Sequence, residues 1–440
     1  MTFDFQPFLK TLYPSTTYST TLLSGGLVNF TVRACRTNPP PAAQDSPHPP
    51  ASLILKHAPP YIASVGAAAP FSQSRQAVEA TLLRFFNNAS SVTHAVRHGD
   101  RGGIRIPRVL AHDAEHQVLA LEDLGPLVTL WELLDPTQPH PASTITPAGA
   151  LLARCSAIGS SLGAFFATLH SPCTLTGLRS LLGGEAEVLE QSLAADVVFD
   201  VAVGPVLGRL QKQGRMDEAS ARKLYARVEQ DYRREAYPGE GCLSMGDFHP
   251  GSVLVTALGL AEREEDAMVG VIDWEFATIR DGRGVNGDMA QFLASLHVLI
   301  MSLPRDGEKG LLREAVVVLV KEMCRAYAEG SGLVRRVAEV VRDSREAGKV
   351  PVMGIFRSAM ILFGRETVNQ AIDRKWDHGP GTTVAEMVQA GAWYLERAGD
   401  SVEEMLEESN WEEMMAREDN IILWLFGLAQ QRMSECFLNP

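Results

Sequence analysis

Met245-Gly246-Asp247-Phe248-His249-Pro250-Gly251-Ser252-Val253-Leu254-Val255 is the stretch on which the reading of this chain turns. A polar turn carrying an acid, a histidine and a hydroxyl runs into an apolar strand, so the Asp247 carboxylate stands on a constrained loop. Farther on, Val269-Gly270-Val271-Ile272-Asp273-Trp274-Glu275 sets two more carboxylates at the end of a buried-looking strand. Strand residues two apart point to one side, so Asp273 and Glu275 are predicted to converge on one metal site. Taken singly, an Asp in a turn also reads as a cap or an Asx turn, and D-x-E also reads as a solvated strand exit. Taken in order, they supply what phosphoryl transfer requires: one carboxylate to orient an attacking hydroxyl, and others to hold Mg²⁺ against phosphates.

Upstream, Leu23-Ser24-Gly25-Gly26-Leu27-Val28-Asn29-Phe30-Thr31-Val32 reads as a glycine turn between strands. There the missing side chains let backbone amides approach a phosphate. Leu53-Ile54-Leu55-Lys56 ends an apolar strand on a lone lysine. From Ser72 onward, Val78, Leu82, Phe85 and Phe86 fall at helical spacing, on a helix that also carries Glu79. A strand lysine steered by a helix glutamate is how kinase-type folds grip the α- and β-phosphates. An ordinary hairpin and an unrelated surface Lys and Glu are the plain alternatives, and the order along the chain favours the first reading. The strand Val118 to Glu122 then runs into Asp123-Leu124-Gly125, a predicted hinge.

The 440 residues are 45% hydrophobic and 21% charged, enough for two lobes, here predicted as 1–125 and 126–440. A formal charge of −13 argues against nucleic acid and anionic membrane as partners, because both are met by clustered Lys and Arg. Six scattered cysteines show no zinc spacing and read as reduced thiols. With no cationic, apolar leader at the N-terminus, a cytoplasmic location is expected. The Pro- and Ala-rich stretch Thr37 to Pro50 reads as a hairpin insertion, and Pro136 to Pro147 as a linker. Beyond it, Ile158, Leu162, Phe165, Phe166 and Leu169 line a core helix ending at His170. In the C-terminal part, Phe356-Arg357 and Gly364-Arg365-Glu366 are candidates to reach a cleft, although structural arginines fit the same pattern. The acidic run Glu403 to Glu413 reads as a solvated helix face, and Trp393 and Tyr394 as core.

L-S-G-G-x-x-N, the strand Lys56, L-G-x-F-F-A-x-L-H ending at His170, G-D-x-H from Gly246, and I-D-W-E from Ile272 together resemble the aminoglycoside phosphotransferase and choline kinase superfamily, over roughly Leu23 to Leu293. Within it, G-D-x-H-x-G-S and D-x-E are similar to 5-methylthioribose kinase, and S-G-G-x-V-N, I-L-K-H-A and I-D-W-E to fungal 4-hydroxytryptamine kinases. The resemblance implies an α+β, bilobal protein-kinase-like fold with a small β-rich N-lobe and a large, mostly helical C-lobe. It implies transfer of the γ-phosphoryl group of ATP, with Mg²⁺, to a small-molecule hydroxyl. Asp247 is implied as the base, and Ser252, Asp273 and Glu275 as metal ligands. Lys56 with Glu79 is implied at the phosphates, Gly25, Gly26 and Asn29 over the nucleotide, and Glu122 and Leu124 at the adenine. His249 is implied as a hydrogen bonder that stabilises its loop, and Asp288 as the loop's anchor. Two departures, Met245 where many members have His and Ser252 where many have Asn, leave open a catalytically inactive, nucleotide-binding or interaction module. Neither an H-R-D-type loop nor an A-P-E segment points to a protein kinase.

Overall fold

The alternation Leu53-Ile54-Leu55-Lys56 sorts the N-terminal part into two sides of a sheet. The computed structural model describes residues 3–23, 26–38, 49–88, 90, 93–94, 103–135, 148–191, 195–257, 268–332, 351–374, 376, 382–400, 404, 412–414 and 420–428. Gly25, most of the Thr37 to Pro50 insertion, the Pro136 to Pro147 linker, most of the acidic run Glu403 to Glu413, and Cys436 lie outside these residues.

Five strands, β1 (Tyr18–Leu22), β2 (Phe30–Arg36), β3 (Ser52–His57), β5 (Val109–Asp113) and β6 (Val118–Glu122), form an antiparallel sheet of order β1-β2-β3-β6-β5. Leu53 and Leu55 face a small core with Phe5 and Leu9, the latter on helix α1 (Gln6–Leu12). Ile54 and Lys56 face the opposite side, where helix α2 (Ser74–Asn87) packs. Gln76 fastens α2 to the sheet by donating to the carbonyls of Lys56 (3.0 Å) and Gln117 (2.7 Å). Burying Val78, Leu82, Phe85 and Phe86 stabilises this docking by about 1.5–3 kcal/mol per side chain.

A second sheet joins β4 (Ile104–Arg105), β7 (Leu127–Thr129), β8 (Val253–Thr256) and β9 (Val269–Val271) in the order β4-β9-β8-β7. Its strand β4 comes from before residue 125 and pairs in parallel with β9. Because β8 and β9 are antiparallel with Val253 opposite Val271, the loop entering β8 and the loop leaving β9 emerge side by side. The Ile272 N–H donates to the Ser252 carbonyl at 3.0 Å across that junction.

Helix α3 (Leu130–Leu133) follows β7, and the helical part is built on α4 (Ala148–Leu169) packed along α7 (Gly307–Gly330). Between them in sequence lie α5 (Glu218–Arg233) and α6 (Ala290–Ser302), and after them α8 (Pro351–Asp373) and α9 (Val384–Arg397). Residues 149–169 are long and apolar enough to cross a membrane by composition, yet Leu162, Phe165, Phe166 and Leu169 lie in the main core. Gly159 and Gly163 let α7 come so close that a Cβ would meet the Leu319 and Met323 carbonyls at 2.2 and 2.3 Å. Tyr394 is fully buried in the main core. Cys35, Cys155, Cys173, Cys242 and Cys324 are free thiols. This is the protein-kinase-like bilobal fold, an N-terminal antiparallel sheet followed by a mostly helical part.

Candidate active site

The loop before β8 is held by its backbone. Gly246 has φ +84°, and an added Cβ would lie 2.2 Å from the Phe276 carbonyl, so only glycine fits against the neighbouring loop. Asp288, 2% exposed, accepts from the Met245 N–H (2.7 Å) and the Gly246 N–H (2.9 Å). His170, at the end of α4, places Nε2 3.1 Å from Asp288 Oδ2 and Nδ1 3.1 Å from the Tyr327 hydroxyl. The Met245 side chain is buried in the main core, away from the polar face of the loop. His249 accepts the Gly251 N–H at Nδ1 (3.0 Å), a contact that shapes the turn.

The fully buried Ser252 hydroxyl donates to the His249 carbonyl (2.7 Å) and accepts from the His249 N–H (3.3 Å). Both bonds close the loop on itself.

The loop after β9 reaches its geometry by a route that strand alternation did not anticipate. The strand stops at Val271, and Asp273 takes φ +65°, a left-handed conformation costing a non-glycine residue about 1–3 kcal/mol. Trp274, fully buried, pins the kink by donating Nε1–H to the Val271 carbonyl (3.2 Å) and packing against Phe86 at 4.8 Å. Asp273 and Glu275 thereby meet one cation, the Lys56 ammonium, at 2.9 and 3.8 Å, while Glu79 of α2 holds it at 2.8 Å. Elements far apart in sequence are tied at this point.

Three carboxylates around one ammonium make the cluster electron-rich. Burial opposes the Lys56 charge, but Asp273, Glu79 and Glu275 outweigh it and hold the ammonium well above the ordinary lysine range. Burial also opposes ionisation of Asp273, and Lys56 reverses that, keeping the carboxyl below its usual range. Asp273 presents 41% of its side chain to the cleft. Burial raises Glu79, with Lys56 pulling the other way. Glu275 is pushed up to about 7, by burial first and by Glu79 and Asp273 beside it, against the pull of Lys56 and Arg75. Hard oxygen donors with surplus negative charge suit Mg²⁺, which is commonly held by one or two carboxylates plus phosphate oxygens. No all-protein metal cage exists among the described residues.

Two residues that local patterns did not single out complete the site. Arg75 is fully buried on α2, one turn before Glu79, and donates to Asn29 Oδ1 (3.0 Å) and to the carbonyls of Val28 (3.1 Å) and Pro59 (2.8 Å). Burial lowers its pKa, with Glu275 opposing. Asn29 in turn donates Nδ2–H to Glu275 Oε2, so it faces the candidate metal carboxylate. Gly26 lies beside it, where a Cβ would be 3.2 Å from the Asn29 carbonyl. The signal for Arg75 was its i−4 spacing from Glu79 on the buried face of α2. The other residue is Gln291, whose Nε2–H donates to Asp247 Oδ1 at 2.7 Å. Its signal was the i+3 spacing from Asp288.

Asp247 Oδ2 lies 4.0 Å from His249 Nε2, and the side chain is 45% exposed to the cleft. Its carboxyl is raised above the usual aspartate range by burial of its inner side and by Asp273 and Asp288, while His249 and Gln291 oppose this. At the hinge, the Glu122 carboxylate is bound by Arg105 (3.2 Å) and Arg108 (3.1 Å), and its N–H is taken by the Arg108 carbonyl at 2.8 Å. Leu124 is 7% exposed and lies where a Cβ on Gly270 would meet it at 2.9 Å. Arg357 donates to the Asp400 carbonyl, and buried Arg365 pairs with Glu366 at 2.7 Å. Both arginines therefore have structural partners in the helical part.

The phosphotransferase enzyme family APH matches residues 67–281. The match covers 215 of the 440 residues, just under half of the chain. The APH segment takes in Glu79, the hinge, Asp247, Asp273 and Glu275, and leaves Lys56 and the glycine turn upstream. Among solved structures, an ethanolamine kinase of Plasmodium vivax is similar at 10% identity over 87% of this chain and 81% of its own, with a TM-score of 0.35. Spectinomycin phosphotransferase APH(9)-Ia, in complex with ADP and spectinomycin, is similar at 11% identity over 97% of each chain, with a TM-score of 0.38. A glucosamine kinase in complex with glucosamine, ADP and inorganic phosphate is similar at 15% identity over 91% of this chain and 84% of its own, with a TM-score of 0.37. Likeness at this level does not extend to substrates. No curated protein matches the chain significantly.

Proposed function

We propose that this chain is an APH-family, ATP-dependent phosphotransferase that moves the γ-phosphoryl group to a hydroxyl of a small molecule. The observation that carries the reading is the Lys56 ammonium, clasped by Glu79 on one side and by Asp273 and Glu275 on the other, with Asp247 raised in basicity on the adjoining loop. Lys56 neutralises the α- and β-phosphates and Glu79 keeps it in place. Asp273 and Glu275 would hold Mg²⁺, which when bound offsets the charge of the phosphate oxygens. Asp247 orients the acceptor hydroxyl and takes its proton on Oδ2. The acceptor oxygen bonds to the γ-phosphorus as the bond to the β–γ bridging oxygen breaks, and ADP leaves with that electron pair. Met245 sits in the core with its N–H satisfied, so that departure by itself does not favour the inactive reading.

The test is Mg²⁺-dependent ATP consumption against methylthioribose, hydroxyindoles, choline-like amines and amino sugars. The motif likeness to 5-methylthioribose kinase and fungal 4-hydroxytryptamine kinases puts the first two at the head of the panel. Acceptor-stimulated ADP release is expected. No stimulation by any acceptor, together with no thermal shift on adding ATP and Mg²⁺, would sink the reading.

A linked prediction concerns Glu275. A glutamate titrating at about 7 is protonated below that pH, so Mg²⁺ binding must displace its proton, and affinity falls as pH drops through 7. Calorimetry in two buffers of different ionisation heat should register clearly more proton release at pH 6 than at pH 8. Glu275→Gln should remove that difference. Equal release at both pH values would contradict it.

A further inference from the structure

We propose that Gln291 is a positioning residue for Asp247, holding Oδ1 so that Oδ2 alone meets the acceptor hydroxyl. The inference rests on the phosphotransferase reading above. A π-helical turn, Gly284–Met289, leads directly into α6, and Asp288 within it accepts both backbone N–H groups that precede the base. Three positions on, on the same face of the helix start, Gln291 binds the base itself at 2.7 Å. One helix start therefore grips the loop twice, at its backbone and at its reactive side chain. Asp288 is buried, whereas Gln291 is half-buried at the edge of the cleft.

The chemistry explains why an amide suits this place. A neutral N–H donor favours the carboxylate without supplying a full positive charge, so Asp247 stays basic where a Lys or Arg would make it a weaker base. The donor also selects the oxygen. With one lone pair of Oδ1 engaged by Nε2–H and the carboxylate plane fixed by that contact, Oδ2 is the more basic and less encumbered oxygen for the hydroxyl proton. The resulting acid still accepts the same N–H at Oδ1, and the contact survives the transfer. The other charged groups facing Asp247 are His249 on its own loop, Asp273 on the metal loop, and Asp288 on the turn before α6. Removing the amide leaves those unchanged.

The experiment compares the full chain with Gln291→Leu and Gln291→Glu by steady-state kinetics across pH, thermal midpoint, and ¹³C titration of the Asp247 carboxyl, assigned with Asp247→Asn. Loss of the donor in Gln291→Leu should raise the Asp247 midpoint and the acid limb of kcat together by about half to one pH unit. It should lower kcat roughly tenfold at neutral pH while the KM for ATP stays within about twofold. Gln291→Glu, which adds a like charge, should move the midpoint up by more than about one unit. A purely structural glutamine would change the thermal midpoint and leave the titration where it was. An unmoved Asp247 midpoint in both variants overturns the proposal whether or not the enzyme turns over. If the midpoint moves but no acceptor stimulates ATP consumption in the parent chain, the positioning contact stands and the phosphotransferase reading fails.

Discussion

Lys56→Met is expected to destabilise the chain by about 3–5 kcal/mol at pH 8, and by markedly less at pH 5.5. The substitution keeps the length of the side chain and removes the one ammonium that Glu79, Asp273 and Glu275 share within 4 Å. Glu79 and Glu275, with side chains 3% and 6% exposed, bear most of the cost, while Asp273, 41% exposed, is screened by water. The sign with pH follows from linkage. Lys56 has a folded pKa raised above its unfolded value, so its contribution is constant through the neutral range and fades only at strongly alkaline pH. In the variant, the carboxylates lose their counter-charge and their folded pKa values rise, those of Glu79 and Glu275 further above the unfolded ones. Stability is then present at acid pH, where they bind protons, and drains away as pH rises through neutrality. Mg²⁺ should restore part of the loss by taking over the counter-charge. Denaturant unfolding at the two pH values, with and without Mg²⁺, reads all three effects. An equal loss at both pH values with no response to Mg²⁺ would show that Lys56 is not the charge that balances this cluster.

How much of this site could be read from residues alone differs from part to part, for physical reasons. Lys56 and Glu79 were readable because each declares itself locally: a lysine ending an apolar strand, and a glutamate on a helix whose apolar spacing fixes the buried face. That they meet follows from sheet alternation, which turns Lys56 away from Leu55 and toward α2. Asp273 and Glu275 were paired in advance by a rule that does not apply to them. They meet through a left-handed residue past the end of the strand, and the driving term is Trp274 seeking the core at the position between. Nothing local in D-W-E announces a positive φ. Ser252 was implied as a ligand by resemblance alone, and what the turn adds is that a hydroxyl placed there bonds its own backbone. Arg75 sits on a helix whose apolar spacing was read and Gln291 on one whose spacing was not, and in both cases the partners come from segments far away in sequence. Arg357 and Arg365, for which a structural role was one of the two readings, do have structural partners, and which face of α8 meets which neighbour is set by helix docking, not by the residues beside them.

Asp247→Asn is expected to lower kcat by about 10²- to 10⁴-fold and to leave nucleotide affinity and thermal midpoint close to those of the parent. The substitution is nearly isosteric, and the asparagine carbonyl can still accept from Gln291, so the loop keeps the brace that Asp288 and Gln291 give it. What it loses is an oxygen able to take the hydroxyl proton. The parent should show kcat falling toward acid pH along a limb above the ordinary aspartate range, because burial and the neighbouring acids raise this carboxyl. The variant should lack that limb, since an amide does not titrate. The size of the loss also separates two roles for the same residue. In a loose transition state the hydroxyl proton is still largely in place at the barrier, so a carboxylate that only aims the nucleophile is worth less than one that abstracts the proton. A loss near a hundredfold, insensitive to the acidity of the acceptor hydroxyl, would assign aiming. A loss nearer ten-thousandfold that shrinks for more acidic acceptors such as a phenolic hydroxyindole would assign abstraction. Turnover within tenfold of the parent would remove Asp247 from the chemistry altogether and return the search to the carboxylates around Lys56.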